Sequence, residues 1–123
     1  MEVRIDITKA FEKDLGKFSS QEQLAITKKI SHLIELIRSG NSTSSHLYRL
    51  HKIHLIENLE SSLYIFKINN DIRIILTSEN DPLFDEHLLT LLKVVRHKDL
   101  EKSFKSVSES IYQSLIHKEE NNG

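Results

Sequence analysis

Residues 88–95 read Leu-Leu-Thr-Leu-Leu-Lys-Val-Val, six aliphatic side chains in eight positions. A run this apolar is expected of a strand covered on both faces. Such a strand needs sheet neighbours and apolar cover above and below it. The remaining residues must supply both, and 123 residues leave room for one domain. A chain of this length buries roughly 65–70% of its unfolded surface, so it can form a core without staples.

The cover comes first in the chain. Val3, Ile5 and Ile7 alternate with Arg4 and Asp6, the period of a half-buried strand. Thr8 offers an N-cap to a helix whose Phe11, Leu15 and Phe18 share one face. Gly16 and the Ser19-Ser20 pair end it. Ser20 and Gln23 have capping-box spacing for a second helix. Its apolar stripe is Ile26, Ile30, Leu33, Ile34 and Ile37, with Lys28, Lys29 and Glu35 facing away, and Gly40 is its natural stop. The two helices form an antiparallel hairpin whose apolar faces need a sheet.

Beyond a Ser-rich loop at 41–45, a strand is expected over Leu50–Leu55 and a turn over Asn58–Ser62. A second strand spans 63–68, an Asn69-Asn70 turn follows, and Ile72–Thr77 returns. Ser78–Glu86, with the single proline Pro82, reads as a longer loop. After the apolar run, Asp99 caps a last helix bearing Leu100, Phe104, Val107, Ile111 and Leu115 at helical spacing. The expected architecture is α+β: an N-terminal strand and a helical hairpin packed on a small, twisted, mostly antiparallel sheet, with a C-terminal helix. One domain spans residues 1–117, and 118–123 form a frayed polar tail.

Several function classes drop out. The sequence has no Cys, which excludes disulfide scaffolds, thiolate zinc sites and cysteine catalysis and fits a reducing cytoplasm. No apolar run approaches ~20 residues, so no membrane span is expected. Nucleotide-loop, nucleophile-elbow and zinc-protease motifs are missing, and no cofactor is expected. Seventeen Lys and Arg against eighteen Asp and Glu give a net charge of −1. Any nucleic-acid function must therefore rest on a local patch.

Three stretches could form such a patch. Arg73 is a lone charge in the apolar segment 72–76; it either faces the solvated side of the sheet or aims its guanidinium fork at a phosphate. Arg96-His97-Lys98-Asp99 ends the apolar strand and places an imidazole between two cations, as suits proton transfer. In the segment 46–54, Arg49 and His51 share one face of a strand while Lys52 and His54 share the other, so either pair can line a groove. His51 and His54 have metal-like spacing, but opposite faces and no accompanying carboxylates leave no metal site expected.

The run Ile68-Asn69-Asn70-Asp71-Ile72-Arg73-Ile74-Ile75-Leu76, followed by the run from Leu88 to Phe104, resembles the RelE/ParE superfamily of type II toxin–antitoxin toxins. The resemblance covers roughly residues 3–104 and rests on element order, Asp71-Ile72-Arg73-Ile74-Ile75 and His97-Lys98-Asp99-Leu100. It implies a metal-independent mRNA endoribonuclease acting with the ribosome and held by an antitoxin. Its implied catalytic residues are Arg73, His97, Asp71 and His54, and its RNA contacts are Arg49, Lys52, Lys67, Arg96 and Lys98. The same resemblance leaves open a ParE-like toxin directed at gyrase, or a non-catalytic binding module. The long last helix either covers the groove or pairs two copies in a homodimer.

Overall fold

The computed structural model describes residues 2–39, 47–56, 59–81 and 83–107. Strand β1 (Glu2–Ile7) leads into helices α1 (Lys9–Leu15) and α2 (Ser20–Arg38). Strands β2 (Leu47–Ile56), β3 (Leu59–Lys67), β4 (Ile72–Asp81) and β5 (Glu86–Arg96) follow. A 3-10 turn at His97–Asp99 then opens into a third helix, α3, described over residues 100–107. The strands form one five-stranded sheet in the order β1-β5-β4-β3-β2. β1 pairs with β5 in parallel, and every other pair is antiparallel. The architecture is the expected α+β one.

Both helix starts are set by side-chain caps. Thr8 is extended, and its Oγ1 accepts the Phe11 N–H at 3.1 Å. Its hydroxyl also donates to the Leu91 and Leu92 carbonyls at 2.9 and 3.2 Å, fixing α1 to β5. The capping box of α2 lies one residue earlier than the spacing of Ser20 and Gln23 suggests. Ser19 Oγ accepts the Glu22 N–H at 3.2 Å, and Glu22 Oε1 accepts the Ser19 N–H at 3.1 Å. The helix closes at Arg38, and Gly40 lies outside the described residues.

The core lies between the helical hairpin and one face of the sheet. Phe11, Phe18, Ile26, Leu33 and Ile37 meet Phe66, Ile72, Ile74, Leu76, Leu89, Leu91 and Val94 there, all buried. The α2 stripe matches its helical period, with Ile30 and Ile34 half-buried at its margin. Leu63, Ile65, Ile75 and Val95 are buried outside this cluster, on the second face of the sheet. The second face is thus buried at its middle, whereas Leu88 and Leu92 of the apolar run are only half-buried, less than the run led one to expect.

Other expectations shift. β5 is interior but lies second from the edge, and β4 holds the middle position. Strand β3 already begins at Leu59, so 59–62 is strand rather than turn. The longer loop expected over 78–86 is a hairpin tip, because β4 runs to Asp81 and β5 starts at Glu86. The alternation of apolar residues fades there because that end carries polar side chains, which hid the strand from periodicity. Asp99 falls inside the 3-10 turn rather than at a cap, and Leu100, Phe104 and Val107 of α3 are half-buried. Ile111, Leu115 and the expected tail lie outside the described residues.

Candidate functional site

A β-bulge in β5 decides which side chains can meet. Ile75 is opposite Lys93, but Leu76 is opposite Leu91, so Leu92 is an extra residue on the β5 side. A regular strand keeps one parity on each face. Here Leu89 and Leu91 point at the helices before the bulge, and Val94 does so after it. The phase change turns Arg96 toward the helices, opposite Ile72. It sends Val95 to the second face, opposite Arg73, and His97 follows in the 3-10 turn just beyond the strand.

Arg96 is the best-anchored cation of this region. Its guanidinium donates to Glu22 Oε2 at 2.5 Å, to Glu22 Oε1 at 3.1 Å and to Asp71 Oδ2 at 2.6 Å. It also lies 4.6 Å above the Phe18 ring. Glu22 is held down to about 2, first by the Arg96 hydrogen bonds and then by the Ser19 N–H. The same carboxylates, Glu22 foremost, push Arg96 up. One guanidinium thus links the α1–α2 corner, the β3–β4 turn and the end of β5. The His97 N–H adds a 2.6 Å bond to the Asp71 carbonyl. Glu22 and Phe18 were not among the sequence candidates. The capping-box spacing of Ser19 and Glu22 was the one available signal, and it gave no hint of Arg96.

The β3–β4 turn is equally fixed. Asn69 Oδ1 accepts the N–H groups of Asp71 and Ile72, both at 2.8 Å. Arg73 Nη1 donates to the Asn69 carbonyl and, at 3.2 Å, to the Ile72 carbonyl. Arg73 is half-buried and sits opposite the exposed Lys67 on β3. Lys67, Arg73 and Val95 therefore form a row across three strands, with His97 two residues beyond it. His97 and Lys98 are exposed. Among the sequence candidates, this end of the sheet gathers Lys67, Asp71, Arg73, Arg96, His97 and Lys98.

The remaining candidates lie on β2, the edge strand beyond β3. His54 is opposite Glu60 and Lys52 opposite Ser62, whereas Arg73 is opposite Lys67. At ~3.3 Å per residue, His54 stands ~23 Å along the sheet from Arg73 and Lys52 ~17 Å. Neither joins the row. Arg49, opposite Tyr64, is nearer at ~10 Å along the strand. Sequence alone could not fix this, because the offset depends on where β3 begins. Among the described residues, no group of three His, Asp or Glu side chains could hold a metal ion, and no helix is long and apolar enough to cross a membrane.

No protein-family model matches the sequence, and no curated protein sequence matches it. Among solved structures, a chain of the RelBE2 toxin–antitoxin complex from Mycobacterium tuberculosis is similar in fold. The alignment covers 79% of this chain and 100% of that one, with a TM-score of 0.54 and 12% identity. The chain therefore has a RelE-like fold.

Proposed function

We propose that the protein is the toxin of a type II toxin–antitoxin pair and that it cleaves mRNA without a metal ion, in the company of the ribosome. The observation that carries this reading is the row Lys67, Arg73 and Val95 on one sheet face, with the exposed His97 in the 3-10 turn just beyond its end. In the proposed reaction His97 takes the proton of a ribose 2′-hydroxyl. The 2′-oxygen bonds to the adjacent phosphorus, and the bond from phosphorus to the 5′-oxygen breaks. The products are a 2′,3′-cyclic phosphate and a 5′-hydroxyl, the latter protonated from the Lys67 ammonium. Arg73 keeps Nε and Nη2 for the charge that grows on the phosphoryl oxygens, while Nη1 holds the turn.

Arg96 and Asp71 take supporting roles in this scheme. Arg96 is spent on Asp71 and Glu22, and Asp71 on Arg96, and the Asp71 carbonyl accepts the His97 N–H. The antitoxin partner and the ribosome belong to the proposal too, through the RelE-like fold.

The test is induced expression of wild-type, Arg73→Ala and His97→Ala proteins, followed by primer extension on cellular mRNA and by cleavage assays with purified ribosomes. Growth arrest with internal mRNA cuts is expected for wild type. Each alanine variant should lose ~10²-fold or more in cleavage rate while its melting temperature holds. Growth arrest with intact mRNA would refute nuclease activity, and blocked DNA supercoiling in the same cells would indicate a gyrase-directed toxin.

A further inference from the structure

β1 stops pairing with β5 at Ile7 and Leu91, where Thr8 turns the chain into α1. Residues 92–96 of β5 run on with no strand described on that edge. A cavity of about 470 Å³ opens there, between the α1–α2 turn, the end of β5 and α3. That is a volume in which proteins hold small ligands or ligand parts.

The charges around it do not cancel in place. Lys93 is taken by Asp14, with Nζ at 3.2 and 3.0 Å from the two carboxylate oxygens. Arg96 is taken by Glu22 and Asp71. Lys17 and Lys102 remain, both exposed, with no ion-pair partner among the described residues. Ser103 and Ser106 of α3 add two hydroxyls to the same wall, and Asp99 is the remaining carboxylate. Two ammonium groups and two hydroxyls around one opening suit a phosphodiester, whose anionic oxygens accept from both. The wall is short of the alternating apolar pockets that recognise an extended peptide.

We infer that this cavity is a second nucleic-acid contact, a groove in which Lys17 and Lys102 hold the phosphodiester backbone of a single strand without reading its bases. Arg96 borders the cavity and His97 follows it in the chain, so the groove lies at the same end of the sheet as the proposed catalytic row. That RNA is the strand bound rests on the nuclease reading. The groove also answers the charge problem, since a chain with net charge −1 needs its cations concentrated.

The experiment is fluorescence anisotropy of a labelled 2′-O-methyl oligouridine with the full chain. This probe has no 2′-hydroxyl to react, so binding is read apart from cleavage. Each phosphate neutralised contributes about 0.7 to the slope of log affinity against log salt for single strands. The Lys17→Ala/Lys102→Ala double variant should bind more weakly, with a slope shallower by about 1.4. Between 50 and 200 mM salt, wild type should therefore lose about 7-fold more affinity than the variant. Lys17→Arg/Lys102→Arg should keep the wild-type slope, as should Lys28→Ala/Lys29→Ala on the exposed face of α2. Equal slopes for wild type and the double alanine variant would overturn the groove. So would wild type that ignores oligouridine, or that binds polyglutamate in its place through the same two lysines. Lysine-dependent binding without cleavage on ribosomes would leave the groove standing and remove the nuclease. Cleavage with an unchanged slope would do the reverse.

Discussion

If Leu92 is the bulged residue, Leu76 must pack on Leu91 and not on Leu92. A regular ladder continued from the Ile75–Lys93 pair would set Leu76 opposite Leu92. The two registers differ by one residue and can be separated by energy. Leu76 is 0% exposed and Leu91 2%, both in the core beneath the helices, whereas Leu92 is half-buried. Truncating a fully buried Leu to Ala costs about 2–5 kcal/mol, transfer and cavity terms together. Leu76→Ala and Leu91→Ala should each fall in that range, and Leu92→Ala should cost about 1 kcal/mol. At about 4 °C per kcal/mol for a chain of this size, the first two lower the melting temperature by about 8–20 °C. Because Leu76 and Leu91 share one space, their double variant should depart from additivity by about 0.5–3 kcal/mol. Leu76 with Leu92 should be additive within about 0.5 kcal/mol. Urea unfolding followed by circular dichroism measures the five variants and wild type. Strong coupling of Leu76 to Leu92, with Leu92→Ala costing more than Leu91→Ala, would refute the bulge and with it the placement of Arg96.

Four further outcomes are expected. Because Glu22 is held from 4.5 down to about 2 in the fold, its contribution is complete above the upper value and fades as pH drops toward the lower. Glu22→Gln should flatten that acid limb of stability between about pH 5 and pH 2, and an unchanged limb would show that Arg96 does not hold it. His87, lowered by burial beside Ser78 Oγ at 2.6 Å, disfavours its proton in the fold, so stability should fall as pH drops below 6.5. His87→Gln should remove that slope in denaturation curves taken through this range. Thr8→Ala loses an N-cap and two bonds to β5, and thermal melts should show a loss of about 1–2 kcal/mol. Leu83→Ser and Phe84→Ser, at 88% and 75% exposure, should change stability by less than about 0.5 kcal/mol in the same melts.

The helical layer was legible because its signals are local. Thr8 caps within three residues, and the stripe from Ile26 to Ile37 repeats within one helix. The apolar run at 88–95 likewise announced an interior strand without knowledge of any partner, although Leu88 and Leu92 are only half-buried. Strand ends were less legible, since Leu59–Ser62 and Ser78–Asp81 are held by pairing rather than by their own composition. The gathering of Asp71, Arg73 and His97 followed from motif order. The exclusion of His54 did not, because it turns on how far β3 extends before it meets β2. Arg96 looked like a free cation beside His97, and only the third dimension brings Glu22 to it, from 74 positions away.

The bulge gives these separate observations one cause. Had β5 kept a single parity, Leu89, Leu91, Lys93 and Val95 would share the helix-covered face. Arg96 would then face away from Glu22. The extra residue prevents that in one step. It lets the strand bury Leu89 and Leu91 beneath the helices, leaves Lys93 within reach of Asp14, and still delivers Arg96 inward. Thr8 bonds the carbonyls of Leu91 and Leu92, so the bulge is held from the α1 side where β1 ends. Bulges recur beside sites that must re-aim a side chain. Here the re-aimed residue is Arg96, committed to holding the sheet end together, while His97 beyond it stays exposed, as the proposed chemistry requires. A change at Leu92 that restores regular pairing should therefore disturb fold and function together, whereas His97→Ala should disturb function alone.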